Sequence, residues 1–254
     1  MAFLSIKCAR MKRMKWNDGW KVWKEENSFA LVWNIPENAR DIILPHDAMR
    51  ENAPSADSVN GSASGYRDAE SLIYAKVFDC PCEWESNITR VVFEGVYMNA
   101  LVYLNGQLIA KSPSGYSEFT ADLTDLLHYG AKNELRVLVR SGAMPNSRWY
   151  SGSGIYRDVY FVQSEKTHLA QNGARFITEE AGDISVIRAE ITVENESEKA
   201  KNLSVATSIC FENADIASET SALFLASGEK RTIIQRIALE RSEEHTSELQ
   251  SRSD

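Results

Sequence analysis

The stretch MNALVYLNGQLIAKS, residues 98–112, decides the fold class of this chain. Two apolar runs flank Asn105 and Gly106, and this dipeptide is the strongest short-range signal for a β-hairpin. Both residues tolerate the positive φ angles that a two-residue type I′ turn requires. The stretch therefore predicts two antiparallel strands joined by a tight turn.

Strand patterns continue on both sides of this hairpin. Apolar and polar residues alternate in ESLIYAKVFDC (70–80), NITRVVFEGV (87–96), NELRVLVRSG (133–142) and GIYRDVYFVQ (154–163). FTADLTDLL (119–127) predicts a short helical turn that Asp122 or Thr124 caps. This series of strands with almost no helical periodicity predicts a β-sandwich over residues 1–164.

A second strand-rich segment, residues 165–240, follows. DISVIRAEITVENES, NLSVATSICFEN and EKRTIIQRIALE alternate at the spacing of a small immunoglobulin-like sandwich. The segment holds about 75 residues, fewer than the roughly 100 typical of that fold. We therefore expect an incomplete sandwich in which RTIIQRIALE has an unpaired edge. This edge would leave four side chains partly open to water, those of Ile233, Ile234, Ile237 and Leu239.

Composition excludes several classes of partner. The formal net charge is −8 at pH 7, whereas nucleic-acid binders concentrate Lys and Arg, so we expect no nucleic acid. No run approaches the roughly 20 apolar residues of a membrane helix, so we expect no membrane. The basic residues near the N-terminus follow a short apolar patch instead of preceding it, which is unlike a signal peptide and favours a cytoplasmic location.

The sequence shows no spacing typical of a metal site. His46, His128, His168 and His245 lie far apart, and the four cysteines lack the spacing of a zinc site. We therefore expect no metal, no cofactor and reduced thiols.

The C-terminal segment, residues 241–254, differs from the rest of the chain. RSEEHTSELQS is polar and has no strand pattern, and it resembles the translation of one frame of a common sequencing adapter. We interpret the segment as a disordered, artefactual tail, which implies that the natural protein continues beyond Glu240.

Several ordered stretches resemble the N-terminal part of family-two glycoside hydrolases, which include β-galactosidases, β-glucuronidases and β-mannosidases. They are WNDGWKVWKEE, LPHDAM, YAKVF, FEGVYMNALVYLNGQLIAKSPSGYSEFTADLTDLL, NELRVLVRSG and NSRWYSGSGIYRDV. The resemblance implies an all-β chain, with a jelly-roll-like, sugar-binding β-sandwich followed by an incomplete immunoglobulin-like β-sandwich. A catalytic barrel would come next in such an enzyme.

The resemblance also implies what this chain lacks. Glycoside hydrolysis uses two carboxylates, and in this family both are glutamates of the barrel, so no catalytic residue is assigned here. The expected function is the non-catalytic part of a retaining glycosidase, inactive alone, whose partners are a weakly bound carbohydrate and the missing C-terminal barrel. The RWY form of the motif favours β-galactosides.

Three residues are candidates for contact with the sugar. The resemblance places the RWY loop and the region after LPHD at the substrate pocket, where Arg148 offers a planar fork, Trp149 a stacking surface and Asp47 a hydrogen-bond acceptor. The structural alternatives stay open: Asp47 caps a turn, Arg148 pairs with a carboxylate, and Trp149 packs between domains. Gly152 and Gly154 are expected to permit positive φ or close backbone approach.

Two other functions remain open at this level. One is a free-standing carbohydrate-binding module in which the first sandwich alone holds a sugar. The other is a structural or interaction sandwich without a ligand.

Overall fold

The computed structural model describes residues 2–7, 11–26, 34–142, 149–180, 184–211 and 214–240. These residues form β-strands and a few short 3-10 helices, so the all-β prediction is confirmed. Within the same ranges, no helix has the length and apolar character that crossing a bilayer requires. Arg148 and the predicted tail, residues 241–254, lie outside the described residues.

Sixteen strands follow one another along the described part of the chain, some of them separated by short 3-10 helices. They are β1 Ala2–Lys7, β2 Met11–Lys15, β3 Trp20–Lys24, β4 Arg40–Ile42, β5 Ser71–Cys80, β6 Asn87–Phe93, β7 Ala100–Leu104, β8 Gln107–Ser112, β9 Phe119–Asp122, β10 Ala131–Arg140, β11 Val159–Glu165, β12 Thr167–Glu180, β13 Ile184–Asn195, β14 Lys201–Phe211, β15 Ala214–Leu225 and β16 Lys230–Glu240. The 3-10 helices are Ala48–Arg50, Gly61–Ser64, Cys82–Ser86 and Thr124–Leu126.

The chain divides into two compact units. The large unit is Lys12–Gln163, and the small unit combines Met1–Met11 with Ser164–Asp254. The sequence interpretation had not assigned the N-terminal strand to the small unit.

The large unit is a sandwich of two sheets. One sheet has the order β4-β3-β5-β10-β7-β8 and the other the order β2-β11-β6-β9. Side chains from both sheets form one apolar core that includes Trp20, Tyr74, Phe93 and Phe161, each at most 1% exposed. Burial of such large aromatic surfaces is the main favourable term for this unit.

The predicted hairpin is present in the large unit. Asn105 and Gly106 have φ angles of 50° and 83°, as a type I′ turn requires, and they join β7 to β8. The predicted helical turn is also confirmed as the 3-10 helix Thr124–Leu126, but its N-cap is Leu123, so the prediction that Asp122 or Thr124 caps it is wrong. Asp122 still contributes, because its Oδ1 accepts a hydrogen bond from the Thr124 backbone N–H at 3.0 Å.

The small unit also contains two sheets, with the orders β1-β14-β15 and β12-β13-β16. Its core consists of aliphatic side chains such as Ile191, Val193 and Leu225. β16 lies at the end of its sheet, as predicted, and Ile234 is 53% exposed. Ile237 is only 2% exposed, so the prediction that it opens to water is wrong, because alternate residues of β16 face opposite sides of the sheet.

Candidate functional site

Two loops of the large unit lie side by side. His46 N–H donates to the Ile155 carbonyl at 2.8 Å, and Ala48 N–H donates to the Ser153 carbonyl at 2.9 Å. These bonds join the region after LPHD to the segment that follows RWY, which are the two regions that the sequence analysis selected. Asp47 lies between the two bonded residues and begins the 3-10 helix Ala48–Arg50.

The carboxylate of Asp47 is held by three donors. Its Oδ1 accepts from the backbone N–H groups of Met49 at 3.2 Å and Ser153 at 3.0 Å, and its Oδ2 accepts from the Tyr150 hydroxyl at 2.7 Å. The capping alternative for Asp47 is therefore confirmed. Burial and then the bond to Asp47 raise the pKa of Tyr150, so its hydroxyl remains a donor at neutral pH.

Two glycines permit this arrangement. Gly152 has a φ of 73°, and a Cβ there would lie 3.2 Å from Asp47 Oδ2. Gly154 has a φ of 109°, and a Cβ there would overlap the Tyr74 hydroxyl and lie 2.9 Å from the His46 carbonyl oxygen. The predicted need for positive φ and close approach is confirmed at both positions.

Exposed aromatic side chains continue from the Tyr150 contact with Asp47. Trp149 is 61% exposed, and its Nε1–H donates to the hydroxyl of Tyr116, itself 57% exposed, at 3.3 Å. The Tyr116 ring meets the buried Tyr97 ring edge to face, with 5.5 Å between their centroids. We call Trp149, Tyr150 and Tyr116 the aromatic rim.

A chain of polar contacts runs through His46, the residue before Asp47. His46 Nδ1 lies 2.8 Å from the Tyr74 hydroxyl, and its Nε2 lies 3.1 Å from Glu51 Oε1. Glu51 Oε2 accepts from Arg40 at 2.6 Å, and this hydrogen bond is the main cause of the lowered pKa of Glu51. Burial raises the pKa of Tyr74, so this phenol also remains protonated. The sequence analysis missed this chain because its members come from separate strands and loops.

A cleft of about 410 Å³ is lined in part by residues that follow Asp47. Its lining includes Trp23, Asn38, Arg40, Glu51 and Asn52. Asp47 points its carboxylate toward the aromatic rim, whereas Glu51 faces the cleft.

A separate polar cluster lies in the small unit. His168, Glu194 and Glu196 bring one ring nitrogen and two carboxylate oxygens within 4.8 Å of one another. The sequence analysis did not find this cluster, because it searched for His and Cys spacing along the chain and these residues meet across two paired strands.

The fold and the first site define a class: a β-sandwich domain that presents a fixed carboxylate and exposed aromatic side chains on its loops. Residues 20–169 match the family described as "Glycosyl hydrolase 2 galactose-binding domain-like". This match covers more than half of the chain, which therefore belongs to that family, and the resemblance noted in the sequence is confirmed.

Known proteins agree with this assignment. The chain is 32% identical over 200 residues to the β-galactosidase BoGH2A of Bacteroides ovatus, covering 78% of this chain and 24% of that protein. It is 33% identical over 158 residues to a putative β-glucuronidase of Formosa agariphila, covering 61% of this chain and 15% of that protein. A glycosyl hydrolase family 2 member from Bacteroides cellulosilyticus superposes with a TM-score of 0.85 at 25% identity, over 91% of this chain and 31% of that one. The chain thus spans about a quarter or less of the length of these two curated relatives.

Proposed function

We propose that this chain is the sugar-contacting N-terminal part of a retaining glycosidase that acts on β-linked sugars, with β-galactosides as the preferred class. The large unit supplies one wall of the substrate pocket. The observation that carries the proposal is the fixed Asp47 carboxylate, bonded by the Tyr150 hydroxyl, together with the exposed indole of Trp149, the residue before Tyr150. Arg148 stays a candidate on sequence grounds alone.

The residue types match the chemistry of a pyranose. An indole stacks on the apolar face of a sugar ring, and a carboxylate accepts hydrogen bonds from its hydroxyls. Because three donors already fix Asp47, little conformational entropy is lost when a hydroxyl reaches it.

We assign no hydrolysis to the chain by itself. Retaining glycosidases need two carboxyl groups about 5 Å apart, one as acid and one as nucleophile. By family resemblance both lie on a catalytic barrel, which is the proposed partner of this segment. The preference for β-galactosides is supported by the relative named a β-galactosidase.

Sugar titration of the purified chain tests the proposal. Because the chain supplies only one wall of the pocket, it should bind galactose weakly, with a Kd of about 1 mM or more. This corresponds to a binding free energy no more favourable than about −4 kcal/mol. In an NMR titration, Trp149→Ala and Asp47→Asn should each reduce the chemical-shift changes that galactose causes in the loop containing Trp149. Phe224→Ala, which removes an equally exposed aromatic ring from the small unit, is the matched control and should change nothing.

A second function is favoured by the exposure of Trp149, which is typical of a free-standing carbohydrate-binding module. If the chain binds a sugar with micromolar affinity and Trp149→Ala abolishes that binding, the carbohydrate-binding module is the correct function. The proposal that the chain forms only one wall of a substrate pocket would then be wrong. Turnover of a chromogenic β-galactoside by this chain, lost in a point variant, would contradict the assignment of catalysis to the barrel.

In a full-length enzyme that carries this segment, Asp47→Asn should lower kcat/KM by about tenfold to a few hundredfold, or about 1.4–3 kcal/mol.

A further inference from the structure

The cluster in the small unit is built from paired strands. His168 of β12 lies directly opposite Glu194 of β13, and Glu196 follows just beyond the end of β13. His168 Nε2 lies 3.7 Å from Glu194 Oε2 and 3.4 Å from Glu196 Oε1. Only 2% of His168 is exposed, whereas Glu196 lies at the surface.

We propose that His168, Glu194 and Glu196 bind a divalent transition-metal ion, for which Zn²⁺ is the natural probe. The distances fit a tetrahedral ion. Two ligand atoms that each lie about 2.1 Å from a tetrahedral ion are about 3.4 Å apart, close to both separations.

The donor set selects the kind of ion. An imidazole nitrogen with two carboxylate oxygens suits Zn²⁺ and its first-row neighbours, whereas Mg²⁺ and Ca²⁺ prefer oxygen ligands alone. Three protein ligands leave a position for water, as tetrahedral zinc sites with three protein ligands do.

The local charge also favours a cation. Lys230 contacts the other oxygen, Oε1, of Glu194, which leaves Oε2 directed at His168. The two carboxylates carry two negative charges against the single positive charge of Lys230, so this group of side chains attracts a cation.

The loop that carries Glu196 is held rigidly. Asn195 is fully buried, and its Oδ1 accepts from Thr167 Oγ1 at 3.0 Å and from Ser197 Oγ at 2.6 Å. Its Nδ2 donates to the carbonyl of Lys199 at 2.8 Å, and Glu196 N–H donates to the carbonyl of Lys166 at 2.7 Å. Because Thr167 precedes His168 and Asn195 precedes Glu196, these bonds fix the ligands before an ion binds, which lowers the entropic cost of binding.

Calorimetric titration of the tag-free chain with ZnCl₂ tests the site. We expect one equivalent of Zn²⁺ to bind with at least tenfold higher affinity than Mg²⁺ or Ca²⁺. Glu196→Gln should weaken Zn²⁺ binding at least tenfold without unfolding the chain, because Glu196 is at the surface. Glu198→Gln, in the same exposed turn, is the matched control and should bind normally. X-ray absorption should show one nitrogen ligand that His168→Asn removes.

Three results would overturn the proposal. The first is no saturable binding of Zn²⁺ at millimolar concentration. The second is binding that Glu196→Gln leaves unchanged. The third is binding that Cys82→Ser abolishes, since Cys82 is an exposed thiol in the large unit and a competing zinc ligand.

Discussion

The two units of this chain hold their sheets together in different ways. In the large unit, aromatic and aliphatic side chains fill the space between the sheets. In the small unit, Gln235 of β16 reaches across to the other sheet, where its Oε1 accepts from the Thr207 hydroxyl at 2.6 Å and its Nε2 donates to the Val205 carbonyl at 2.9 Å. Apolar contacts are non-directional and forgiving, whereas a buried polar bridge requires each partner in place. The large unit should therefore depend on close packing and the small unit on particular hydrogen bonds.

The sequence supplies a way to observe the two units separately. All six tryptophans, Trp16, Trp20, Trp23, Trp33, Trp84 and Trp149, fall within the range of the large unit. Tryptophan fluorescence thus reports unfolding of the large unit, and hydrogen exchange at β14 and β16 reports the small unit.

The largest effect is expected for Gly154→Ala in the large unit. Its Cβ would overlap the Tyr74 hydroxyl at a φ of 109°, and the combined overpacking and backbone strain should lower the free energy of unfolding by about 3–5 kcal/mol. Urea denaturation followed by tryptophan fluorescence measures it. The control is Gly228→Ala in the small unit, followed by hydrogen exchange at β14 and β16. There φ is 69° and no atom lies within 4 Å of the added Cβ, so only about 1–2 kcal/mol of strain is expected. Equal costs at the two positions would show that close packing does not distinguish the units.

An intermediate effect is expected for Gln235→Leu in the small unit. The change keeps the side-chain volume but removes the hydrogen-bond partner of the Thr207 hydroxyl and of the Val205 carbonyl. It should lower the free energy of unfolding of the small unit alone by about 2–3 kcal/mol. Exchange at β14 and β16 should accelerate while tryptophan fluorescence keeps its midpoint. Gln107→Leu, at an exposed position of the large unit, should change stability by about 0.5 kcal/mol or less. A more protected small unit in the Gln235 variant would contradict the polar-bridge account.

The smallest effect is expected for Asp158→Asn, which tests the polar periphery of the large unit. Hydrogen bonds from Lys15 at 2.6 Å and then Asn17 at 2.8 Å lower the pKa of Asp158. Because the folded pKa is depressed, the stabilisation is present above the unfolded pKa of about 3.9 and is lost as the pH falls through the folded value. We expect a loss of about 1 kcal/mol at pH 7 that shrinks as the pH falls below the unfolded pKa and through the lowered folded pKa.

Urea titrations of the wild type and the variant at pH 7, 5 and 3 measure this difference. Asp41→Asn is the control, because the Asp41 side chain is 82% exposed in its contact with Lys21, and exposed pairs contribute little. A deficit in the Asp158 variant that is larger at pH 3 than at pH 7 would contradict a lowered folded pKa.

Local patterns predicted local structure well. The Asn105-Gly106 hairpin and the turn at Thr124 depend on neighbouring residues, so the sequence carried the full signal. The pairing of β1 with β14 joins residues about two hundred positions apart, and no local pattern carries that information. The edge position of β16 was predicted, but not which of its isoleucines faces the core.

The candidate site was predictable only in part. Family resemblance selected Asp47, and its capping role was already among the alternatives. The bond from Tyr150 to Asp47 spans 103 residues and depends on the folded position of both loops. In the small unit, the meeting of His168 with Glu194 follows from strand register, which the sequence pattern did not specify.

The three donors on Asp47 have a stereochemical consequence. A carboxylate offers about four lone-pair positions, and two backbone N–H groups and the Tyr150 hydroxyl already use three of them. Within the described residues, one acceptor position therefore remains for a ligand. On the proposed function, Asp47 accepts a single hydroxyl from a single direction. An epimer that differs at the carbon carrying this hydroxyl points the hydroxyl in another direction. The single remaining acceptor position of Asp47 would therefore disfavour such an epimer, even if its ring stacks equally well on Trp149.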